Sequence, residues 1–158
     1  MVYVRPKKRL GQHFLKDLTI AERIVSCLKS EKKNDSILEI GSGTGVLSDF
    51  LIQRKFEKLV FMDIDLESIE YLRNKYSSEQ AEIVHGDFLK MDMTDFFGES
   101  KFSIIGNFPY NISSQIFFKV LDIKDQVDEI VCMLQKEVAQ RIASSHGSKA
   151  YGILSVFL

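Results

Sequence analysis

Ser36-Ile37-Leu38-Glu39-Ile40, running straight into Gly41-Ser42-Gly43-Thr44-Gly45, is the stretch that decides the fold. The first five residues read as a buried strand and the three alternating glycines as a tight turn. Val46, Leu47, Phe50 and Leu51 then form one face of a following helix. Downstream the pattern repeats. Leu59-Val60-Phe61-Met62 is a second buried strand that ends at Asp63-Ile64-Asp65, and Ile69, Leu72 and Tyr76 mark the apolar face of the next helix. A short third strand is predicted over 81–85, a fourth over 102–105, a helix core over 116–121, a fifth strand over 129–134 and a last helix over about 136–144. Upstream, Ile20, Ile24, Cys27 and Leu28 recur at helical spacing behind Asp17, a residue suited to cap a helix. Such alternation predicts a Rossmann-like α/β fold: a mostly parallel sheet, helices on both faces and a ligand crevice at the strands' carboxyl ends. Leu154-Ser155-Val156-Phe157-Leu158 is strand-like with no turn after it, so the sheet is expected to continue beyond it.

Composition supports one globular domain. The chain has 158 residues, 45% hydrophobic and 27% charged, with two prolines and nine glycines, which excludes collagen-like and linker-dominated chains and argues against disorder. Cys27 and Cys132 offer neither a disulfide framework nor metal-ligand spacing, which fits the reducing cytoplasm; no metal is expected. No apolar run reaches the roughly 18 residues of a membrane span, and the first residues lack a signal-peptide core. A net charge of -1 conceals a division between residues 1–16 and 17–158. The first 16 positions carry Arg5, Lys7, Lys8, Arg9 and Lys16 and no acid, leaving 16 basic against 22 acidic residues in the body. A basic arm suits an anionic partner such as RNA, with Arg5, Lys7, Lys8 and Arg9 as phosphate contacts, and equally suits a frayed, solubilising terminus.

Glycines 41, 43 and 45 let the backbone approach a ligand, and the helix behind them presents its amides, so a nucleotide-like cofactor is implied. A dinucleotide fingerprint would need glycine where Val46 stands. A purely structural glycine turn is the alternative. Asp63, at the end of the second strand, can accept hydrogen bonds from both hydroxyls of a ribose. Asp87, at the end of the third, can accept from an adenine amino group beside the apolar wall of Phe88. Taken singly, each acid reads as a turn or cap aspartate, and Asp65 is expected to be a helix cap. Three consecutive strand ends bearing Glu39 or Gly41, Asp63 and Asp87 make the combined pattern stronger than its parts.

After the fourth strand comes Gly106-Asn107-Phe108-Pro109-Tyr110. Methylating an exocyclic amine is hard because the lone pair is delocalised into the ring. Acceptors that draw both amine hydrogens out of the plane favour a more nucleophilic nitrogen, and Asn107 Oδ1 and the Phe108 carbonyl could serve. Pro109 would fix the turn, and Tyr110 would offer a face for a base taken out of its stack. The same residues also read as a proline turn with a packed tyrosine.

The glycine spacing with Glu39 resembles the first motif of class I S-adenosylmethionine-dependent methyltransferases. Together with Arg9-Leu10-Gly11-Gln12-His13-Phe14-Leu15, Asp63-Ile64-Asp65, Gly86-Asp87 and the stretch from Gly106 to Ser114, it makes the chain similar to the ribosomal RNA adenine N6,N6-dimethyltransferases. Met133-Leu134-Gln135-Lys136-Glu137-Val138 and Ser148-Lys149-Ala150-Tyr151-Gly152 resemble the small-subunit branch of that family rather than its large-subunit antibiotic-resistance branch. The resemblance implies methyl transfer from S-adenosyl-L-methionine, leaving S-adenosyl-L-homocysteine, to two adjacent adenosines of small-subunit rRNA during ribosome biogenesis in the cytoplasm. Small-subunit rRNA and the assembling subunit would be the partners, and the full-length chain a monomer. It implies that His13 and Leu15, with Gln12 in the same stretch, line the cofactor's methionine end. Glu39, Gly41, Gly43 and Gly45 would supply the loop, Asp63 and Ile64 the ribose side, Asp87 and Phe88 the adenine side, and Asn107 both cofactor and target amine. His13 is often Asn in the family, Asp63 often Glu, and Ile153 stands where Arg is frequent. A large-subunit resistance methylase and a non-catalytic RNA-binding assembly or transcription factor on the same fold are the rivals; the intact stretch from Asn107 to Tyr110 favours an enzyme.

Overall fold

A computed structural model of the chain describes residues 4, 7, 10–12, 14–29 and 35–144. Five strands, β1 (Ser36–Ile40), β2 (Lys58–Asp63), β3 (Glu82–His85), β4 (Phe102–Asn107) and β5 (Val127–Met133), form one sheet in the order β3-β2-β1-β4-β5. Every pairing is parallel, with Ile40 opposite Met62, Asp63 opposite His85 and Asn107 opposite Met133. Strand order reverses between β1 and β4, so the carboxyl ends of neighbouring strands diverge there and leave the crevice expected of a doubly wound sheet. Among the described residues, α1 (Leu18–Ser26) precedes β1, α2 (Ser48–Gln53), α3 (Leu66–Lys75), α4 (Thr94–Phe97) and α5 (Ser113–Asp122) connect successive strands, and α6 (Lys136–Ile142) follows β5. None of them is long and apolar enough to cross a membrane.

Alternation along the buried strands sends neighbouring side chains to two separate cores, one on each face. Ile37, Leu59, Phe61 and Ile105 pack with Ala21, Val25, Leu51 and Leu72 of α1, α2 and α3. Leu38, Val60, Met62 and Ile104 pack with Phe97, Ile116, Phe117 and Val120 of α4 and α5. The sheet is thus covered on both faces, as its continuous apolar strands require.

Asp17 caps α1, its Oδ1 accepting from the backbone N–H of Thr19 at 2.9 Å and Ile20 at 3.3 Å. The expected apolar stripe is only half kept. Leu28 is buried just past the helix and Ile24 packs partly buried against the same core, whereas Ile20 is 40% exposed and Cys27 is on the surface. Ala21 and Val25, one position along from Ile20 and Ile24, are the helix's fully buried residues. Helix α4 had no counterpart in the sequence reading. Its single turn, with Met93 and Phe97 buried and Phe97 stacked on Phe102 at 4.2 Å between ring centroids, carries too few residues to show a period. The strand-like run over 154–158 and the stretch over 148–152 lie outside the described residues, as do Arg5, Lys8, Arg9 and His13.

Candidate functional site

Four strands end on one cleft of about 670 Å³. Ile40 and Met62, the last apolar residues of β1 and β2, join Phe88 and Ile116 in an apolar floor; Asp63 and Asp87 stand along one side, and Asn107 and Pro109 along the other. A second, smaller cavity of about 290 Å³ shares Phe14, Gly41 and Asn107 with the first and continues under the glycine loop past Leu15, Glu39 and Gly43.

Backbone hydrogen bonds tie the strand ends together. Gly41 N–H donates to Met62 O at 2.9 Å, Gly86 N–H to Asp63 O at 3.0 Å, and Phe108 N–H to Met133 O at 3.3 Å. Gly41 has φ +73°, a left-handed conformation that side chains rarely adopt, and it lines both cavities. Gly43 is also left-handed, and a Cβ there would stand 3.0 Å from the Phe14 ring. The equal spacing of the three glycines hides a difference. Gly45 lines neither cavity; a Cβ on it would lie 2.6 Å from the Tyr76 hydroxyl and 3.1 Å from Leu72, so its lack of a side chain serves the packing of the loop on α3.

Asp63 is 4% exposed. Its Oδ2 accepts from Gly43 N–H at 2.8 Å and its Oδ1 from Asp65 N–H at 2.9 Å, leaving each oxygen a lone pair for a ligand in the cleft. Burial pushes its pKa up, opposed by the Asp65 and Gly43 N–H groups. Asp65 is the cap of α3, accepting from Glu67 N–H at 3.3 Å. Ile64 between them is 48% exposed at the cleft's rim. Asp87 accepts from Leu89 N–H at 3.1 Å in a tight turn and stays accessible, next to the buried Phe88. Glu39 is 1% exposed and accepts from Ser48 Oγ at 2.6 Å; burial pushes its pKa up to about 8, so near neutrality it is largely uncharged. Carboxylate acceptors flanking an apolar slot suit a ligand with hydroxyl and amino donors on a flat apolar body, as in a nucleoside.

The sequence reading missed part of the cleft and did not foresee the place of Lys7. Leu10, Gly11 and Phe14 line the cleft together with Gln12, and α5 adds Ile112 and Ile116. Lys7 was expected to contact phosphate. Instead its Nζ is 2.5 Å from Asp65 Oδ1 and 3.0 Å from Glu67 Oε1, because its segment turns back onto the acidic start of α3. Phe108 is 1% exposed, its ring edge-on to Phe117, so only its backbone is available for chemistry. Tyr110 is half-buried and lines neither cavity; its carbonyl lies 3.5 Å from Ser113 Oγ at the start of α5. Leu15 is half-buried against the α1 to α3 core and reaches only the smaller cavity.

Comparison with known proteins accords with this geometry. The family described as "Ribosomal RNA adenine dimethylase" matches residues 4–158. A "Ribosomal RNA small subunit methyltransferase A" from Cytophaga hutchinsonii is 50% identical over 100% of this chain and 61% of its own length. Its namesake from Parabacteroides distasonis is 52% identical over 100% of this chain and 58% of its own length. The chain therefore spans roughly 60% of the curated relatives it matches. Among solved structures, a dimethyladenosine transferase from Plasmodium falciparum superposes with a TM-score of 0.78 at 32% identity, covering 91% of this chain and 51% of that one. The 23S rRNA methyltransferase ErmE gives 0.72 at 27% identity, covering 82% of this chain and 50% of that one. With the family match running through all four strand ends of the cleft, the chain belongs to the ribosomal RNA adenine dimethylase family.

Proposed function

We propose that the protein, in its full-length form, transfers methyl groups from S-adenosyl-L-methionine to the N6 amines of two adjacent adenosines of small-subunit rRNA during ribosome assembly. The observation that carries this reading is the meeting of Gly41, Asp63, Asp87 and Asn107, from four strand ends, on one apolar-floored cleft. The donors and acceptors fit the cofactor. Asp63 is the acceptor for ribose hydroxyls and Ile64 their apolar neighbour. Asp87 and Phe88 serve the adenine, and the smaller cavity past Leu15, Glu39, Gly41 and Gly43 serves the methionine end, with Gln12 in the main cleft beside it. Bound there, S-adenosylmethionine supplies an electrophilic methyl group on sulfur.

The chain's own residues then prepare the amine. Asn107 Oδ1 and the Phe108 carbonyl accept its two hydrogens and draw the nitrogen lone pair out of the ring, while Pro109 sets the turn that presents them. Phe108 suits this task because its ring is locked in the core and its backbone cannot drift. Tyr110 offers its ring to the extruded base. Rate comes chiefly from aligning nitrogen, methyl and sulfur. The curated relatives' name favours the small subunit over the large one as substrate.

The test is to incubate full-length protein and labelled S-adenosylmethionine with unmethylated small and large subunits and analyse the nucleosides by mass spectrometry. N6,N6-dimethyladenosine confined to the small subunit is expected; label confined to the large subunit, or none, refutes the reading.

A further inference from the structure

Of the residues described ahead of α1, Lys7 and Gln12 are held on one side of the cleft and Gly11 lies close against the other. On the β2 side, Lys7 Nζ is held by Asp65 at 2.5 Å and Glu67 at 3.0 Å, and Gln12 Nε2 donates to Asp65 Oδ2 at 3.4 Å. On the β4 side, Gly11 lies so close to Asn111 that a Cβ would overlap that residue's amide oxygen. Leu10, Gly11, Gln12 and Phe14, between the two anchors, line the cleft.

Lys7 and Gln12 also close a turn on each other. Lys7 N–H donates to Gln12 Oε1 at 2.9 Å, while Leu10 N–H and Gln12 N–H donate to Lys7 O at 3.0 and 3.4 Å. Fixing the Lys7 ammonium therefore fixes the backbone of the cleft-lining residues. Asp65 serves both parts of the site: its side chain grips Lys7 and Gln12, and its N–H donates to Asp63 Oδ1 at 2.9 Å. Exposed ion pairs contribute little to stability, but here the Asp65 side chain is 2% exposed and that of Lys7 23%, so the carboxylate end of the pair is shielded while the ammonium stays in reach of solvent. Burial opposes the charge on Asp65, yet Lys7, Gln12 and the Glu67 N–H together hold its carboxyl below the usual carboxylate range.

We propose that Lys7, gripped by Asp65 and Glu67, is a positioning residue that holds Leu10, Gly11, Gln12 and Phe14 as the roof of the cofactor cleft and so sets how fast cofactor and product leave. The proposal rests on the S-adenosylmethionine reading. It assigns Lys7 to the roof of the cleft and away from RNA phosphates.

The experiment uses the full-length protein, wild type and as Lys7→Met, Lys7→Glu and the charge-swapped pair Lys7→Glu with Glu67→Lys. Dissociation of S-adenosylhomocysteine is followed by surface plasmon resonance, and amide exchange at Leu10 and Gln12 by hydrogen–deuterium exchange. Lys7→Met keeps the aliphatic stem and should release the ligand about tenfold faster, the scale set by a partly buried charge-assisted pair. Lys7→Glu should be faster still, and the swap should recover part of that loss but not reach wild type, because Asp65 still faces the new carboxylate; a nonspecific loss of folding would recover nothing. Both amides should exchange faster in Lys7→Met and regain protection in the swap. Unchanged dissociation in Lys7→Met, or a swap no better than Lys7→Glu, overturns the clamp while leaving the methyltransferase reading in place. Lower RNA affinity in Lys7→Met with normal ligand release also overturns it, in favour of a phosphate contact. A wild type that binds neither cofactor nor product defeats both.

Discussion

Replacing Asp63 by alanine separates the energetics of the cleft from those of the fold. In the native protein the carboxylate spends one lone pair of each oxygen on a backbone donor, Gly43 N–H at 2.8 Å and Asp65 N–H at 2.9 Å, and turns the rest toward the cleft. Removing it costs a bound ribose its charged acceptor, which is a loss of about 1.5–3 kcal/mol, or roughly 10- to 150-fold in Kd. Stability should fall much less. The two stranded N–H groups border a cleft that water reaches, and the desolvation cost of burying the charge disappears with it. The net change should be about 1 kcal/mol, a few degrees in Tm for a chain of this length.

Calorimetric titration with S-adenosylhomocysteine and a thermal melt of the same samples give the two numbers. Asp63→Asn is the informative companion, since it keeps shape and one acceptor but sets an amide N–H against one of the two backbone donors. It should bind more weakly than wild type at nearly unchanged volume. Binding within about twofold of wild type in Asp63→Ala would refute the argument, because a charged acceptor facing its ligand cannot be that cheap to remove. A melt lowered by more than about 10 °C would place Asp63 in the structural framework and make the affinity loss uninformative.

Gly45→Ala should destabilise the fold by about 2–4 kcal/mol in a chemical denaturation series, combining a φ of +79° with a Cβ 2.6 Å from the Tyr76 hydroxyl; a loss under about 0.5 kcal/mol would contradict the packing role. Glu39→Gln tests the buried acid. The unfolded chain releases this proton near 4.5 and the folded chain holds it to about 8, so the folded state binds more protons in that window and stability declines as pH rises through it. Gln keeps the acceptor for Ser48 without ionising, so its Tm against pH should be flatter across that window, and an unchanged slope would argue against the buried proton. Tyr110→Ala should lower turnover by the equivalent of about 1–3 kcal/mol while cofactor Kd stays unchanged, as measured by labelled methyl transfer beside calorimetry. A matched loss of cofactor affinity would assign Tyr110 to packing.

Where local pattern determined structure, it could be read directly. A strand buried on both faces must be apolar throughout, so β1, β2 and β4 stand out, and the acids that end the apolar runs at Asp63 and Asp87 fall at the cleft because parallel strands all point their carboxyl ends the same way. Where two local solutions were equally good, the pattern could not choose between them. Helix α1 offers Ile20 and Ile24 at the same spacing as Ala21 and Val25, and only contact with the core selects the second pair for full burial. The three glycines of the loop share a spacing of two, yet Gly41 faces the cleft and Gly45 the third helix, a distinction made by Tyr76, 31 residues away. Lys7 reads as one cation among several until an acid 58 positions later claims it.

Glu39 and Asp63 show how register turns one residue type to two uses. Both lie on the sheet face that carries α2, since Glu39 alternates with Ile37 and Asp63 with Phe61. Glu39, however, pairs with Phe61, two positions short of Asp63 along the sheet. That step of two residues, about 6.6 Å along a parallel strand, places Glu39 under the start of α2, where Ser48 Oγ is its partner, and places Asp63 at the strand's end, where the cleft begins. Desolvation raises the pKa of both, but Asp63 has the backbone N–H groups of Asp65, Gly43 and Ile64 to hold its charge and Glu39 has one hydroxyl. A neutral acid under the loop can fix the helix behind the glycines without repelling the carboxylate beside it. Charging both, as at a pH above about 8, should weaken the loop and the acceptor together.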